Sequence, residues 1–452
     1  MENNKINEIN TAKLGYEEVD ITPKKPVETV GFGRKDEISK GVLSKLMAQV
    51  SVWQFEDKRY CLVAIDHIGF SKCHADLLRS DIGDILLIKK ENVMLCFSHT
   101  HSAPNDTAEP EYFGFACNQI KSAVKKAMKN MFSIKVAWDN AYGDIGVNRR
   151  SNCDDSHGKS GICEISIDAN NLDRRIGILK VVDAYSGELL LLLLRLTAHG
   201  NVLKADNYMI SPDYFGTVRE LLKEKYNCNV MVTQGASGNV APKYFNSKLD
   251  FVIDAQDSEK FIRSETALEY MAEEVYRNVD KVINTIEPKS VKNLEIYSVY
   301  KDFYSEVPTY ERALEIAKEA KKEAGIDGTN WLKEVQRLID AGVKEQVDNT
   351  EIQYFALNSG CLCGVANEIM CEFALNAIHK INNDKFYLGG YTNGCTGYLP
   401  TEEEFDEGGY EVYWSMLIYY IYHGRVFPLN RNSATILTET AVENAPKYLK
   451  HS

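Results

Sequence analysis

Val93-Met-Leu-Cys-Phe-Ser-His99-Thr-His101-Ser-Ala-Pro104 is the stretch on which the reading of this chain turns. An apolar, strand-like run ends on two histidines spaced i, i+2, where Ser, Ala and Pro turn the backbone. In an extended segment alternate side chains point the same way, so the spacing places both imidazoles on one side. Strand ends in layered α/β proteins are where ligands bind. Neutral imidazole is the commonest metal ligand, and nitrogen donors suit a borderline ion such as zinc. Only nine histidines occur in the chain, so two at one strand end stand out. The competing reading is a pair of polar loop residues with no metal.

The same setting recurs downstream, where the six leucines Leu189–Leu194 lead onto His199-Gly200. Around both motifs apolar runs alternate with helical periodicity. Residues 46–55 and 60–70 read as strands, 72–89 as a helix, and 93–99, 174–184 and 189–200 as further strands. Val218, Leu221 and Leu222 mark a helix running into a strand at 229–235. Strands interleaved with helices predict an α/β fold with a layered mixed sheet. Residues 308–342 break that rhythm. Leu314, Ile316, Ala317 and Ala320 lie near one helical face that ends at Gly325, and Leu332, Val335, Leu338 and Ile339 repeat the pattern up to Gly342. Glycines after periodic segments are helix stop signals, so this region reads as a helical hairpin inserted in the body, a solvated cover. No linker or repeat divides the chain, and residues 1–452 are expected to form a single domain.

Composition bounds the function classes. The 452 residues are 44% apolar and 26% charged, an ordinary globular mixture. A net charge of −13 opposes nonspecific attraction to nucleic acid or to an anionic membrane face. The leucine run is far short of the roughly 20 apolar residues that span a bilayer. Neither a nucleic-acid partner nor stable membrane insertion is expected. The eleven cysteines are scattered, odd in number and without zinc-ribbon spacing, so they read as reduced thiols. With no signal-peptide apolar core near the start, a cytoplasmic location is expected. Oligomeric state is silent in the sequence.

Two histidines leave a tetrahedral ion short of donors, and a carboxylate, a water or an unusual oxygen must complete it. Glu368 follows strand signals at 355–367, and a helix is expected over 368–379. That puts Glu368 in a first turn, where the helix dipole alone would favour it. The Gly-rich segment Gly389–Leu399 carries Tyr398 and runs toward the acidic stretch 402–407. The loop Gln234-Gly-Ala-Ser237-Gly238-Asn239-Val-Ala241-Pro242 has backbone amides that can hold an anion or polarise a carbonyl, or that simply form a tight turn. It lacks the lysine of a P-loop and the spacing of a nucleophile elbow around Ser237.

Taken in order, these landmarks resemble the neutral/alkaline ceramidase family of zinc-dependent amidases. Val19-Asp20-Ile21-Thr22-Pro23, Gly31-Phe32-Gly33, Ser98-His99-Thr-His101-Ser102, Asn148-Arg149-Arg150, His199-Gly200, Ile210-Ser211-Pro-Asp213-Tyr-Phe-Gly216, Gly238-Asn-Val-Ala-Pro242, Glu368 and Tyr398…Tyr410 follow the family's order over about residues 14–430. The resemblance implies one zinc ion held by His99, His199, Glu368 and Tyr398. It implies His101 and Tyr410 flanking the scissile amide, with Arg150 at the attacked oxygen and Arg149, Gly238 and Asn239 against the substrate. Which of the two arginines faces the site is left open. The implied function is hydrolysis of an amide bond in a small N-acyl compound by zinc-bound water.

Some features depart from the family. Ala241 stands where the family commonly has serine, which leaves water as the nucleophile. The chain is also too short for the C-terminal β-sandwich of the secreted members, so that domain is expected to be absent. Three alternatives stay open: hydrolysis of ceramide itself, a TIM-barrel metal amidohydrolase, and a non-catalytic binding or scaffold protein. A TIM barrel needs further ligands at later strand ends, and His379 and His423 fall in helix-like segments.

Overall fold

The computed structural model describes residues 12–34, 36–150, 172–243 and 265–450. The chain begins with β1 (Lys13–Asp20), β2 (Met47–Phe55), β3 (Lys58–Ile65), α1 (Lys72–Leu86), β4 (Val93–Phe97) and α2 (Pro110–Lys129). It continues through β5 (Met131–Tyr142), β6 (Arg175–Asp183), β7 (Leu189–Leu196), α3 (Tyr214–Tyr226), β8 (Asn229–Gln234) and α4 (Glu265–Val282). Then follow β9 (Leu294–Glu306), α5 (Tyr310–Ala324), α6 (Thr329–Asp340), β10 (Glu345–Leu357), β11 (Gly360–Gly364) and β12 (Glu368–Ile369). The last elements are α7 (Cys371–Ile381), β13 (Phe386–Gly389), β14 (Tyr398–Leu399), a π-helical turn at Tyr410–Trp414, α8 (Ser415–His423) and α9 (Ser433–Glu443).

One large mixed sheet runs β8-β7-β6-β5-β1-β2-β3-β4, with the short strand Lys289–Ser290 paired to β5 off that path. Its outermost pairs, β7/β8 and β3/β4, are parallel, and the interior pairs are antiparallel. A second sheet runs β9-β10-β11-β13. The two sheets face each other across an apolar layer in which Trp53, Met94, Trp138 and Leu193 meet Ile296, Phe355, Leu362 and Tyr387. On the outer face of the large sheet, α1 and α2 pack on Val63 and Leu95, while α3 and α4 pack on Leu192, Leu194 and Val230. On the outer face of the second sheet, α7 and α9 cover Tyr354, Cys361 and Cys363. The result is four layers, helix–sheet–sheet–helix.

This layering explains the leucine run. Leu191 and Leu193 point into the layer between the sheets, whereas Leu192 and Leu194 point to the helices. A strand buried on both faces reads as a continuous apolar run rather than an alternating one. The hydrogen-bonded ladder of the large sheet does not close among the described residues, which removes the TIM-barrel alternative. Its edges nonetheless approach at one end, where the buried Gln234 amide donates to Ser98 O (3.3 Å) and Ala198 O (2.7 Å). The loops after β4, β7 and β8 therefore meet at one point.

The helical hairpin is present as α5 and α6, inserted between the antiparallel partners β9 and β10. Its apolar faces, with Ile316, Ala317, Trp331 and Val335, pack on Trp414, Leu417 and Val426. The expected helix at 368–379 begins later, at Cys371, and Glu368 lies on β12 instead. Its backbone N–H is held by Gly397 O (2.9 Å), outside the helix altogether. The first-turn acid is Glu372, which accepts from Asn148 Nδ2 (3.0 Å) and Asn239 Nδ2 (2.7 Å).

Candidate metal centre

His99 is not extended, as its spacing from His101 implied, but left-handed at φ 59°. Its N–H donates to His67 O (2.9 Å), and Thr100 forms a parallel bridge with Gly200. His101 N–H then donates to Gly200 O (3.1 Å). The loops after β4 and β7 are thus stitched together, which carries His199 to His99. The three histidines each offer a ring nitrogen within 4.8 Å of the others, and all are buried.

The ring orientations are set by backbone carbonyls. Nδ1 of His99 lies 2.7 Å from Ile68 O, and Nδ1 of His199 lies 2.6 Å from Ser237 O. A carbonyl only accepts, so each Nδ1 carries the proton and each Nε2 presents its lone pair. Both lone pairs face one carboxylate oxygen, with Glu368 Oε2 3.1 Å from His99 Nε2 and 3.5 Å from His199 Nε2. Such acceptors repel at this range unless a cation or proton lies among them. Burial pushes His199 down to about 4, which disfavours a proton on that ring, and a cation among the three groups would relieve the repulsion. Bonds of about 2.0–2.1 Å to a tetrahedral zinc ion put its donors roughly 3.3 Å apart. His199 Nε2 has no hydrogen-bond partner of its own, so the donor set fits a metal ion.

Glu368 reaches the histidines because β12 pairs in parallel with β14, opposing Glu368 to Tyr398. Burial by itself raises the Glu368 carboxyl, and positive charge at the His99–His199 position, a protonated ring or a bound cation, is what would hold it well below the usual carboxylate range. Tyr391 supports the same group, its hydroxyl donating to Glu368 Oε2 (3.4 Å) and accepting from Ser237 Oγ (3.1 Å). At φ 56°, Tyr391 occupies a conformation costly for a bulky residue, the kind of strain that gathers at functional sites. Nothing in the Gly-rich sequence around it distinguishes Tyr391.

Of the two arginines, Arg149 faces the centre. It donates to Tyr398 Oη (3.2 Å) and Gly238 O (2.8 Å), and it pairs with Glu411 (2.8 Å). Arg150 is turned away, consumed by Glu411 (2.7 Å), Glu407 (2.9 Å) and Gly408 O (2.9 Å). The role expected for Arg150 at the attacked oxygen has no geometric support, because its guanidinium fork is already filled by these acceptors. Gly238 and Asn239 likewise do not line the cleft. Gly238 N–H donates to Ile369 O (2.8 Å), and Asn239 binds Cys371 N–H (2.9 Å) and Glu372. Both help hold β12 and α7 in place.

Above the centre opens a cleft. His99, His101, Glu368, Tyr398 and Tyr410 line its base, and Val30, Ile68, Tyr419, Tyr422 and His423 form its walls. Neither His101 ring nitrogen has a hydrogen-bond partner. Burial and the neighbouring His99 and His199 push His101 well down, so it is neutral. The Gly31-Phe32 landmark lies against this ring, since a Cβ on Gly31 would stand 2.8 Å from His101 Nδ1 and Phe32 sits 4.9 Å away. Burial keeps Tyr410 well above the ordinary phenol value.

No protein-family model and no curated protein sequence matches the chain. Solved structures do. The chain is similar to neutral ceramidase from Pseudomonas aeruginosa, with 15% identity and a TM-score of 0.68 over 96% of this chain and 73% of that one. It is similar also to a ceramidase complexed with C2, at 16% identity and a TM-score of 0.66 over 96% of this chain and 74% of that one. The fold is therefore that of the neutral ceramidases, a layered mixed α/β architecture.

Proposed function

We propose that this chain is a zinc-dependent amidase that hydrolyses the amide bond of a small N-acyl compound. The observation that carries the reading is the convergence of His99 Nε2, His199 Nε2 and Glu368 Oε2, three acceptors within the span of one ion's coordination sphere. These groups, with Tyr398, would hold the ion. When bound, zinc supplies Lewis acidity and lowers the pKa of its water from 15.7 to about 7.

The surrounding residues fit hydrolysis. His101, neutral and with an unpartnered ring nitrogen, takes the proton of the attacking water and returns it to the leaving amine. Tyr410, held protonated by burial, donates its O–H to the oxygen on which negative charge develops. Arg149 donates to Tyr398 Oη and favours its phenolate form against the burial that opposes it. Ala241, buried and paired with Val147, provides no hydroxyl. A cytoplasmic location belongs to the same reading and rests on the scattered, odd-numbered cysteines of the sequence. Among the described residues no helix is long and apolar enough to cross a membrane.

The test combines elemental analysis with turnover of N-acyl amines, N-acyl amino acids and a short-chain ceramide. One zinc per chain with chelator-sensitive amide hydrolysis is the expected result. Bound zinc without turnover of any amide would overturn the amidase reading. Substoichiometric metal that reconstitution does not restore would favour a scaffold. The two structural neighbours are ceramidases, and for that reason ceramide belongs in the panel as the second reading.

A further inference from the structure

The cleft has a second polar pole, which the mechanism above leaves unused. Asp106 lines the cleft and is only 5% exposed. Its Oδ2 receives both protein donors that reach the side chain, Ser71 N–H at 3.0 Å and His74 Nδ1 at 2.7 Å. The His74 ring is fixed in turn by stacking on Phe113, 4.0 Å away. No donor among the described residues meets Oδ1. The neighbouring Asn105 amide is committed to Glu28 (3.1 Å) and Tyr422 (3.4 Å). No lysine or arginine lines the cleft, and its other carboxylate, Glu368, belongs to the candidate metal centre.

A buried carboxylate oxygen facing an apolar space is costly unless something donates to it. At Oδ1 no described protein group is that donor, and the oxygen is open to the cleft, so a ligand donor there competes with water alone. An ammonium is the strongest candidate, because a charge-assisted hydrogen bond is roughly twice as strong as a neutral one, and a carboxylate on the ligand would be repelled. The aromatic and aliphatic remainder of the cleft suits an acyl chain, which assigns the donor to the other half of the amide. We infer that Asp106 is a specificity residue and that the substrate carries a protonated amine on its non-acyl half, received by Asp106 Oδ1. The inference rests on the amidase reading and narrows it to N-acyl diamines and similar cationic amides.

The zinc-loaded full chain would be assayed on matched N-acyl amides of ethylenediamine, ethanolamine and glycine, with longer diamine homologues. These put an ammonium, a hydroxyl or a carboxylate at comparable positions. The expected order of kcat/KM is ammonium, hydroxyl, carboxylate, with about tenfold between the first two. Asp106→Asn, which keeps an acceptor for Ser71, should collapse that ratio toward one. Calorimetric binding of an N-alkyl diamine gives a readout independent of turnover and should weaken about tenfold in the same variant. A preference for hydroxyl or carboxylate in the wild-type chain, or a ratio unmoved by Asp106→Asn, would overturn the inference and leave the amidase reading intact. If no amide is turned over, the amidase reading falls. Diamine binding then decides Asp106 separately: sensitivity to Asp106→Asn sustains the cation site and insensitivity removes it.

Discussion

Glu368 accepts from Tyr391 and stands between two histidine lone pairs, while Tyr398, on the facing strand, takes the Arg149 proton donor. In the proposed reading Tyr398 is a metal ligand, a role a phenol takes only when something stabilises its phenolate, and the Arg149 guanidinium is placed to do so. Tyr398→Phe should therefore lower zinc affinity at least about tenfold while leaving the chain folded, as read by competitive chelator titration. Asp213 illustrates a different single-residue effect. Burial raises its carboxyl to about 6, although N–H groups of Leu203, Tyr214 and Val202 pull the other way. Its unfolded value is roughly 3.9. The folded chain thus binds the proton more tightly, and the stability this contributes is present below about pH 4 and lost as pH rises through about 6. The loss is at most about 3 kcal/mol. Urea titrations across that range should show a steeper decline for the wild type than for Asp213→Asn. His99, His101 and His199 could be picked out from strand ends alone. Asp106 and Tyr391 could not, because a lone Asp in a loop and one tyrosine among 25 carry no signal until their neighbours are known.

Two strands of only two residues each, β12 and β14, decide the centre, since their parallel register sets Glu368 opposite Tyr398. Periodicity cannot find a two-residue strand, and an acid before a helical pattern reads as a helix start. The residue that fills that place is Glu372, four positions on. β12 is pressed against the loop after β8, where a Cβ on Gly238 would stand 2.8 Å from Glu368 O and 2.9 Å from Ile369 O. Backbone there does not yield as a side chain would. Gly238→Ala should push β12 outward, costing about 1–3 kcal/mol of stability and reducing bound zinc, checked together by thermal melting and elemental analysis. Glycine here serves close approach, not an unusual turn.

Across the whole molecule, four layers bring the strand-end loops to one rim, and the inserted hairpin braces the other side of the cleft. Trp331 is the anchor, buried against Trp414 and Leu417 with its Nε1 donating to Val426 O (2.7 Å). Leu417 lies on α8, the helix that supplies Tyr419, Tyr422 and His423 to the cleft wall. The hairpin is thus a buttress rather than only a solvated cover. Trp331→Ala should cost about 3–5 kcal/mol. On the proposed function it should also raise KM for the amide more than it lowers kcat, because the proposed metal ligands sit on other elements. Steady-state kinetics below the variant's melting transition would check this.

The sequence by itself determined the alternation of strands and helices, the hairpin with its stop signals, and the histidines at two strand ends. Each is a local property, written in periodicity or in the residue that follows an apolar run. Only the tertiary structure decided that the large sheet stays open, that Arg149 and not Arg150 faces Tyr398, and that Glu368 leaves the helix to meet the histidines. Those outcomes depend on strand register and on which buried carboxylate answers which charge. Both are set by contacts between residues tens to hundreds of positions apart, beyond the reach of a local periodicity window.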